Sequence, residues 1–380
     1  MYTMEFEYPI VRPTIPELEE VVDEFREIFI SKSLTTSTKT EAFEAQVAQL
    51  LDVEFVVALS SCTTGLVMTL RALDLSGEVI VPSYAFNSSA TSVLWAGLTP
   101  VLCDCREDTL TLDVVSAEQM IGDHTVAIMP IAIYGVPPDI LEIEELARSY
   151  GLKIIYDSAM GLGSRYRGKY LGAFGDAEVF SLSTKKLITA IDGGLVTTDC
   201  QRLASTVRQM RDYGRSPGGK DFAYLGMSAR FSELHAVIAM HNLSRIETIM
   251  ATRRTHIQRF RSVLYDIPGL GFFDDPSDRK SCGLLMLLRV DEVQTGISRD
   301  EVMLRLAVKG VQTSRYFYPP LHQQTVFSQF PYRRAPDLSV SERMANQVLA
   351  IPLYTEMTET EIDIIAERVR QVFLQTTDSP

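Results

Sequence analysis

The sequence lacks an excess of basic residues, having 36 Lys and Arg against 49 Asp and Glu and a formal net charge of −13. Proteins that bind duplex nucleic acid need clustered Lys and Arg to neutralise phosphates, so this balance argues against a nucleic-acid partner. The sequence also lacks any run of about 20 apolar residues, the length that spans a bilayer, so we expect no membrane partner. Residues 1–9 contain Glu5 and Glu7 but no basic segment followed by an apolar one, which predicts no secretory signal and a cytoplasmic location.

Cysteine and histidine are scarce, with five of each. An odd number of cysteines with one close pair, Cys103 and Cys105, fits neither a disulfide framework nor a zinc site, which needs a second pair. The histidines show no HExxH or equivalent spacing. We therefore predict that the protein builds no metal site.

The length of 380 residues and the ordinary globular composition, 46% hydrophobic and 22% charged, are sufficient for two domains. Several short strand-like runs are apolar throughout, as strands buried on both faces are. The pattern predicts an α/β fold with a large, mostly parallel sheet sandwiched by helices. The runs lie at residues 55–59, 78–81, 99–103, 126–133, 153–156, 178–182 and 195–198.

Apolar residues at three- and four-residue spacing predict helices between and after these strands, and a further strand-like run lies at 282–290. We predict a large domain at 1–245 and a smaller C-terminal α+β domain at 246–380, with a soft boundary inside a long helix. The predicted helices lie at residues 65–73, 139–150, 232–265, 299–309 and 358–373.

Ligands of an open parallel sheet bind outside the carboxyl ends of the strands, so the residues that follow each strand are candidates for a site. Residues 60–65 (SSCTTG) are small and polar and precede a helix, whose first N–H groups and dipole suit a phosphate. A plain helix cap is the alternative. Phe86 follows another strand, where its ring either lies against a heteroaromatic ring or belongs to the core.

Charged residues follow two further strands. Asp157 ends one of them, and a buried carboxylate needs a partner such as a protonated pyridine nitrogen, unless it caps the next turn. Lys185 and Lys186 lie among apolar and hydroxyl residues, where a desolvated amine can form a Schiff base with an aldehyde cofactor; a surface pair in a turn is the alternative. A phosphate seat, an aromatic ring, an acid and an amine together are what pyridoxal 5'-phosphate (PLP) requires.

With these residues in view, the sequence resembles the nucleotide-sugar aminotransferase family of the DegT/StrS type, whose members are fold-type-I, aspartate-aminotransferase-like PLP enzymes. The similarity covers about residues 35–370. It rests on landmarks in matching order and spacing at residues 34–36 (LTT), 43–44 (FE), 60–65 (SSCTTG), 82–86 (PSYAF), 130–135 (PIAIYG), 157–159 (DSA), 180–182 (FSL), 193–194 (GG), 230–234 (RFSEL) and 318–322 (YPPLH).

The resemblance implies roles for particular residues. The family pattern places the Schiff-base lysine six residues after the Phe of an FSF-like strand and seven before the first Gly of a Gly-Gly pair. Counting from Phe180 and from Gly193, both distances lead to Lys186. The other implied contacts are Asp157 at the pyridine nitrogen, Phe86 on the ring, and Thr63, Thr64 and Ser181 at the phosphate.

The sequence departs from the family pattern at several positions. Met160 stands where the family has a Gln that contacts the phenolic oxygen of the cofactor, and a thioether cannot donate that hydrogen bond. Ala132 replaces a histidine, and residues 37–38 (ST) replace Gly-Pro. Ser228 replaces the Asn that reaches the phosphate of the neighbouring subunit.

Three further residues are candidates for substrate contact. The resemblance implies that Tyr318 and His322 line the acceptor pocket, although either can equally pack the two domains together. Arg230 either contacts the substrate or braces the subunit interface. Family members share their active sites across a twofold interface, so we expect a homodimer in which residues 213–225 and Ser228 cross to the partner.

The implied activity is that of a transaminase in amino-sugar biosynthesis. It moves an amino group from glutamate or glutamine to a keto group of a nucleotide-linked sugar, through the Lys186 Schiff base. An unlinked keto-cyclitol or related antibiotic precursor is the alternative acceptor, which the absence of the histidine at Ala132 keeps open. A PLP-dependent sugar dehydratase is disfavoured because such relatives replace the lysine. A non-catalytic PLP-binding protein is disfavoured because Lys186 and Asp157 are both present.

Overall fold

The computed structural model describes residues 6–374, which form fourteen strands and thirteen α-helices. The strands are β1 (Phe55–Leu59), β2 (Glu78–Pro82), β3 (Thr99–Cys103), β4 (Thr125–Ile128), β5 (Lys153–Asp157), β6 (Arg165–Tyr166), β7 (Lys169–Tyr170), β8 (Ala177–Ser181), β9 (Gly194–Thr198), β10 (Leu270–Gly271), β11 (Arg279–Lys280), β12 (Met286–Val290), β13 (Arg333–Arg334) and β14 (Val348–Ile351). The helices are α1 (Leu18–Ser31), α2 (Thr38–Leu51), α3 (Cys62–Ala72), α4 (Asn87–Trp95), α5 (Val114–Gln119), α6 (Ile140–Tyr150), α7 (Gln201–Arg211), α8 (Glu233–Leu243), α9 (Ile246–Leu264), α10 (Glu292–Thr295), α11 (Arg299–Val308), α12 (Ser339–Gln347) and α13 (Glu359–Leu374).

Eight strands form one large sheet in the order β1-β9-β8-β5-β4-β2-β3-β13. Strand β9 is antiparallel to both of its neighbours, and every other pairing in this sheet is parallel. The mostly parallel α/β sheet predicted from the sequence is therefore confirmed. Two three-stranded sheets accompany it, β10-β12-β14 and β11-β6-β7.

Both faces of the large sheet are covered by apolar side chains. Along β1, Val56 and Ala58 belong to one hydrophobic cluster, whereas Val57 and Leu59 belong to another. Successive side chains of a strand point to opposite faces, so this alternation places a core on each side of the sheet. The apolar runs in the sequence follow from this burial.

One predicted helix is divided in the structure. The segment 232–265 forms two helices, α8 and α9, so the prediction of one continuous helix was wrong. At the break, the N–H of Arg245 donates to the carbonyl of Asn242 instead of making the helical bond four residues back. The redirected α9 begins in the core of the large sheet with Ile246 and ends in a separate C-terminal cluster with Leu264.

Two predicted strands are shorter than expected. In the run at 126–133 the strand ends at Ile128, because Pro130 has no backbone N–H to donate to a neighbouring strand. The run at 282–290 becomes a strand only from Met286. Helix α1 and strands β13 and β14 are among the elements that were not predicted, and β13 joins the edge of the large sheet beside β3.

The small sheet β10-β12-β14 packs with α11 and α13 in the C-terminal cluster, which includes Leu288, Leu306 and Val369. The division into domains at 1–245 and 246–380 stays a prediction, and residues 1–5 and 375–380 of those ranges lie outside the described residues. Among residues 6–374, no helix has the length and apolar character needed to cross a membrane.

Candidate active site

The carboxyl ends of β1, β5 and β8 meet at one edge of the large sheet, where they border a cavity of about 520 Å³. The turn after β1 leads into α3, and the turn after β2 leads into α4, so two helix N-termini open on the same cavity. The lining includes Ser61, Cys62, Thr63, Phe86, Ser88, Ser89, Asp157, Ala159, Met160, Ser181, Ser183, Thr184, Lys185, Lys186 and Asp192.

The N-terminus of α3 presents free donors to the cavity. The Ser61 side chain caps the helix by accepting from the N–H of Thr64 at 3.1 Å, and the Thr64 hydroxyl donates to the Ser61 carbonyl at 2.7 Å. Within the described part of the chain, the backbone N–H groups of Cys62 and Thr63 make no hydrogen bond. They are the first two N–H groups of the helix, which lack intrahelical acceptors and favour an anion. Thr63 lines the cavity, whereas the Thr64 hydroxyl is turned back into the turn.

We call the free N–H groups of Cys62 and Thr63 the anion cradle, and strand β9 packs closely against the turn that carries them. A Cβ at Gly194 would lie 2.5 Å from the backbone N of Cys62 and 2.5 Å from the carbonyl carbon of Ser61. Only a residue without a side chain allows such an approach between two backbones. The Gly-Gly pair of the sequence therefore shapes the α3 turn. Ser181, the last residue of β8, lies directly opposite Gly194 and brings a hydroxyl to the cavity.

Asp157 is buried, with 2% of its surface exposed, and its carboxylate borders the cavity. Ser89 donates to its Oδ2 at 2.6 Å, and the N–H of Ala159 donates to its Oδ1 at 3.1 Å. Burial raises the pKa of this carboxyl above its usual value, and the Ser89 hydrogen bond and the charge of Lys186 act in the opposite direction. A buried acid without a salt bridge is suited to accept from a protonated ring nitrogen.

The two adjacent lysines are in different environments. Lys186 is half-buried, whereas Lys185 is exposed at the cavity rim. Burial lowers the pKa of the Lys186 amine below its usual value, against the opposing effect of the Asp157 charge. A lysine with a lowered pKa has more neutral, nucleophilic amine at a given pH, which is what an aldehyde cofactor requires.

Phe86 and Met160 line the cavity and border a space, the ring slot, that can hold an aromatic ring. Phe86, at the start of α4, is 60% exposed, and its ring centroid lies 5.9 Å from that of Phe317. Met160 also lines the cavity, and its Sδ accepts from the N–H of Tyr134 at 3.3 Å. An anion cradle, a ring slot, an amine and a buried acid therefore border one cavity, and these residues fit PLP.

Besides Thr64, four residues named from the sequence do not line this cavity, namely Ser228, Arg230, Tyr318 and His322. Ser228 is exposed and is paired by a β-bridge with Asp212. Arg230 forms an ion pair with Asp212 at 2.7 Å. Both belong to the segment after α7, and neither side chain lines the cavity.

The remaining two, Tyr318 and His322, hold parts of the fold together. The Tyr318 ring makes cation–π contacts with two guanidinium groups, those of Arg299 at 5.3 Å and Arg315 at 4.7 Å. His322 is buried, with its Nδ1 2.7 Å from the Ser83 hydroxyl and its Nε2 2.9 Å from Glu342. His322 thus links the loop after β2 to α12. Residues 316–317 of the same segment, rather than Tyr318, line the cavity.

Several lining residues were missed in the sequence. Ser89 had a local signal, because the polar run 87–89 follows a strand as the other candidates do. Val11, Leu284, Leu285, Tyr316 and Phe317 had none, because they reach the cavity from remote parts of the chain.

The fold and this cavity define a class, the PLP-dependent enzymes of fold type I. Residues 17–370 match the DegT/DnrJ/EryC1/StrS aminotransferase family. The chain belongs to this family, and it is a PLP-dependent aminotransferase.

Three solved structures illustrate the similarity. DesI, crystallised in the presence of its TDP-sugar product, is 30% identical with a TM-score of 0.91, covering 98% of this chain and 95% of its own. The aminotransferase TlmJ from Streptoalloteichus hindustanus is 27% identical with a TM-score of 0.89, covering 97% of this chain and 100% of its own. DesV from S. venezuelae is 28% identical with a TM-score of 0.85, covering 95% and 99% respectively.

Proposed function

We propose that this chain transfers an amino group from glutamate or glutamine to a keto group of a nucleotide-linked sugar, with Lys186 and Asp157 as its catalytic residues. The observation that carries the proposal is that the half-buried Lys186 amine and the buried Asp157 carboxylate border one cavity with an anion cradle. The sugar assignment is supported by the similarity to DesI, which was crystallised with a TDP-sugar product.

The cofactor is held at both ends. The N–H groups of Cys62 and Thr63 and the Ser181 hydroxyl bind its phosphate, and Thr64 supports them by shaping the turn. Asp157 would accept a hydrogen bond from its ring nitrogen and so keep that nitrogen protonated. Phe86 and Met160, which line the cavity, would lie against the ring. When bound, PLP supplies the carbonyl that carries the amino group and the ring that accepts electrons.

Lys186 would hold the cofactor and would also move protons. With cofactor and amino donor bound, its Nζ would first take the proton from the carbon that carries the donor's amino group, and would then return a proton as an acid. The lowered pKa of this amine favours the neutral form that the first step needs. Asp157 and Ser89 hold their positions throughout, because both are buried and hydrogen-bonded to each other.

We also propose that the chain works as a homodimer with shared active sites. Ser228 and Arg230 lie outside the cavity of their own chain, so a contact of either with cofactor or substrate requires a second copy. The neighbouring segment exposes large apolar side chains, as surfaces that bind another protein do. These exposed side chains are Tyr213, Phe222, Tyr224, Leu225 and Met227.

Replacing each lysine separately tests the catalytic assignment. With PLP added, the wild-type protein and Lys185→Ala should gain the visible absorbance of the attached cofactor and change it on addition of saturating glutamate or glutamine. Lys186→Ala should do neither. Borohydride reduction followed by peptide mapping should place the cofactor on Lys186, and a label on Lys185 would refute the assignment.

A panel of acceptors tests the substrate assignment. Keto sugars with and without a linked nucleotide, and keto-cyclitols, are supplied with glutamate or glutamine, and amine formation is followed by mass spectrometry. The proposal expects amination of nucleotide-linked sugars. Amination of keto-cyclitols alone would favour the antibiotic-precursor alternative, and loss of a hydroxyl group without gain of an amine would indicate a dehydratase.

A further inference from the structure

The cavity contains few charges that can bind an anionic substrate. Among the described residues that line it, Lys185 and Lys186 are the cations, and Asp157 and Asp192 are the anions. Lys186 is committed to the cofactor in the proposed function, on which this inference rests. Both proposed substrates are anionic, since the donor has a carboxylate beside its amino group and the acceptor carries phosphates.

Lys185 is available for such a contact. Its side chain is exposed at the rim, and it forms no ion pair or hydrogen bond with any residue in the range 6–374. Arg230, the basic residue of the family landmark at 230–234, does not line the cavity and is paired with Asp212. An unpaired ammonium at the mouth of a cavity is a point charge with three donors, which suits a carboxylate or a phosphate.

The turn after β8 fixes the position of Lys185. Leu187 and Ile188, which follow the lysine pair, are buried in the hydrophobic core. On the other side, the N–H of Lys186 donates to the Ser183 carbonyl at 2.9 Å. The backbone of this turn is therefore anchored on both sides of the lysine pair. One lysine enters the cavity and its neighbour stays at the entrance.

We infer that Lys185 binds the anionic group of a substrate, carboxylate or phosphate, at the entrance of the cavity next to Lys186. Its charge also acts on the catalytic amine. Burial is the main cause of the lowered pKa of Lys186, and Lys185 adds to it, while Cys62, Asp157 and Cys282 act in the opposite direction. Lys185 is thus a specificity residue.

The test uses Lys185→Met, which removes the charge, and Lys185→Arg, which restores it. Lys169→Met serves as the matched control, because Lys169 is exposed on β7 and does not line the cavity. Binding to the PLP-loaded protein is measured by calorimetry with two non-reacting probes, glutarate for the donor carboxylate and inorganic pyrophosphate for the acceptor phosphates. Single-turnover rates with glutamate alone, and then with acceptor, measure the two half-reactions.

Lys185→Met should weaken binding of one probe about tenfold to a hundredfold, the range of a lost hydrogen bond to a charged group. The half-reaction of the corresponding substrate should show a raised KM with a smaller change in kcat. Weaker binding of glutarate would indicate that Lys185 binds the donor carboxylate, and weaker binding of pyrophosphate would indicate that it binds the acceptor phosphates. Lys185→Arg should recover most of the binding.

The inference is overturned if Lys185→Met binds both probes with the same affinity as the wild-type protein. It is also overturned if the wild-type protein binds neither probe. The proposed function fails in a different way, namely when the wild-type protein carries PLP on Lys186 but transfers no amino group to any acceptor. The two failures are therefore distinguishable.

Discussion

Ser89 donates its hydroxyl hydrogen to Oδ2 of Asp157 across 2.6 Å, and both side chains are buried. Ser89 lies in the first turn of α4, three residues after Phe86. One helix start therefore supplies both the aromatic side chain at the ring slot and the donor that orients the acid.

Removing this donor should impair catalysis without unfolding the protein. In Ser89→Ala, Asp157 keeps only the Ala159 N–H as a described donor, so its pKa rises further and it is less ionised at a given pH. We expect kcat to fall about tenfold, in line with a hydrogen bond to a charged group. The acid limb of the kcat profile should move to higher pH, and Ser89→Thr, which retains a hydroxyl, should behave more like wild type. A kcat profile of Ser89→Ala that overlays wild type would sink this role.

A methyl group at Gly194 should disturb the anion cradle. The new Cβ of Gly194→Ala would lie 2.5 Å from the backbone N of Cys62, so the α3 turn must shift. We expect PLP to bind about tenfold more weakly or worse, the equivalent of about 1.4 kcal/mol or more. Absorbance titration of the apo protein measures this. Gly122→Ala is the matched control, since its nearest neighbour is 3.7 Å away, and equal losses in both variants would contradict the prediction.

Glu233 should be important for stability. Its buried carboxylate accepts from the N–H groups of Ser37, Lys39 and Thr40 and from the Thr40 hydroxyl, which caps the start of α2. Glu233→Ala leaves these donors unpaired, and we expect a loss of about 3 kcal/mol in the free energy of unfolding. Urea unfolding measures the loss. Glu41→Ala, an exposed acid in the same helical turn, should cost less than about 1 kcal/mol, and a similar cost for both would argue against the cap.

Glu178 should make stability depend on pH. Burial raises the pKa of this carboxyl from 4.5 to about 7, against the Ser158 hydroxyl and two backbone N–H groups that donate to it. Between these values the unfolded state has lost the proton that the folded state keeps. The contribution of Glu178 to the free energy of unfolding is therefore fully present below pH 4.5 and is lost as the pH rises through about 7.

Glu178→Gln removes this titration. The free energy of unfolding of the variant, relative to wild type, should rise by roughly 3 kcal/mol between pH 4.5 and pH 8, as expected for a shift of about two and a half pKa units. Urea unfolding of both proteins at the two pH values gives the difference. Parallel behaviour of the two proteins would show that Glu178 titrates normally.

Much of the large sheet was predictable from local patterns. The runs at 55–59 and 99–103 form strands with those bounds, because strands buried on both faces must be apolar throughout. The residues after the strands could also be named, since parallel strands bring their carboxyl ends to one edge. The helix break at Ser244 could not be predicted, because it depends on which core each half of the segment packs against.

Local patterns in the sequence were enough to predict most strands of the large sheet and the residues that follow them, which is why Asp157, Lys186 and residues 60–65 could be named as candidates. The different exposure of the two lysines, half-buried Lys186 and exposed Lys185, and the contacts of His322 with Ser83 and Glu342 instead of with the cavity became apparent from the packed fold. The packing of remote segments likewise brings residues 284–285 and 316–317 to the cavity wall. Periodicity and strand ends are local properties of the chain, whereas burial and contact depend on segments that can lie hundreds of residues apart.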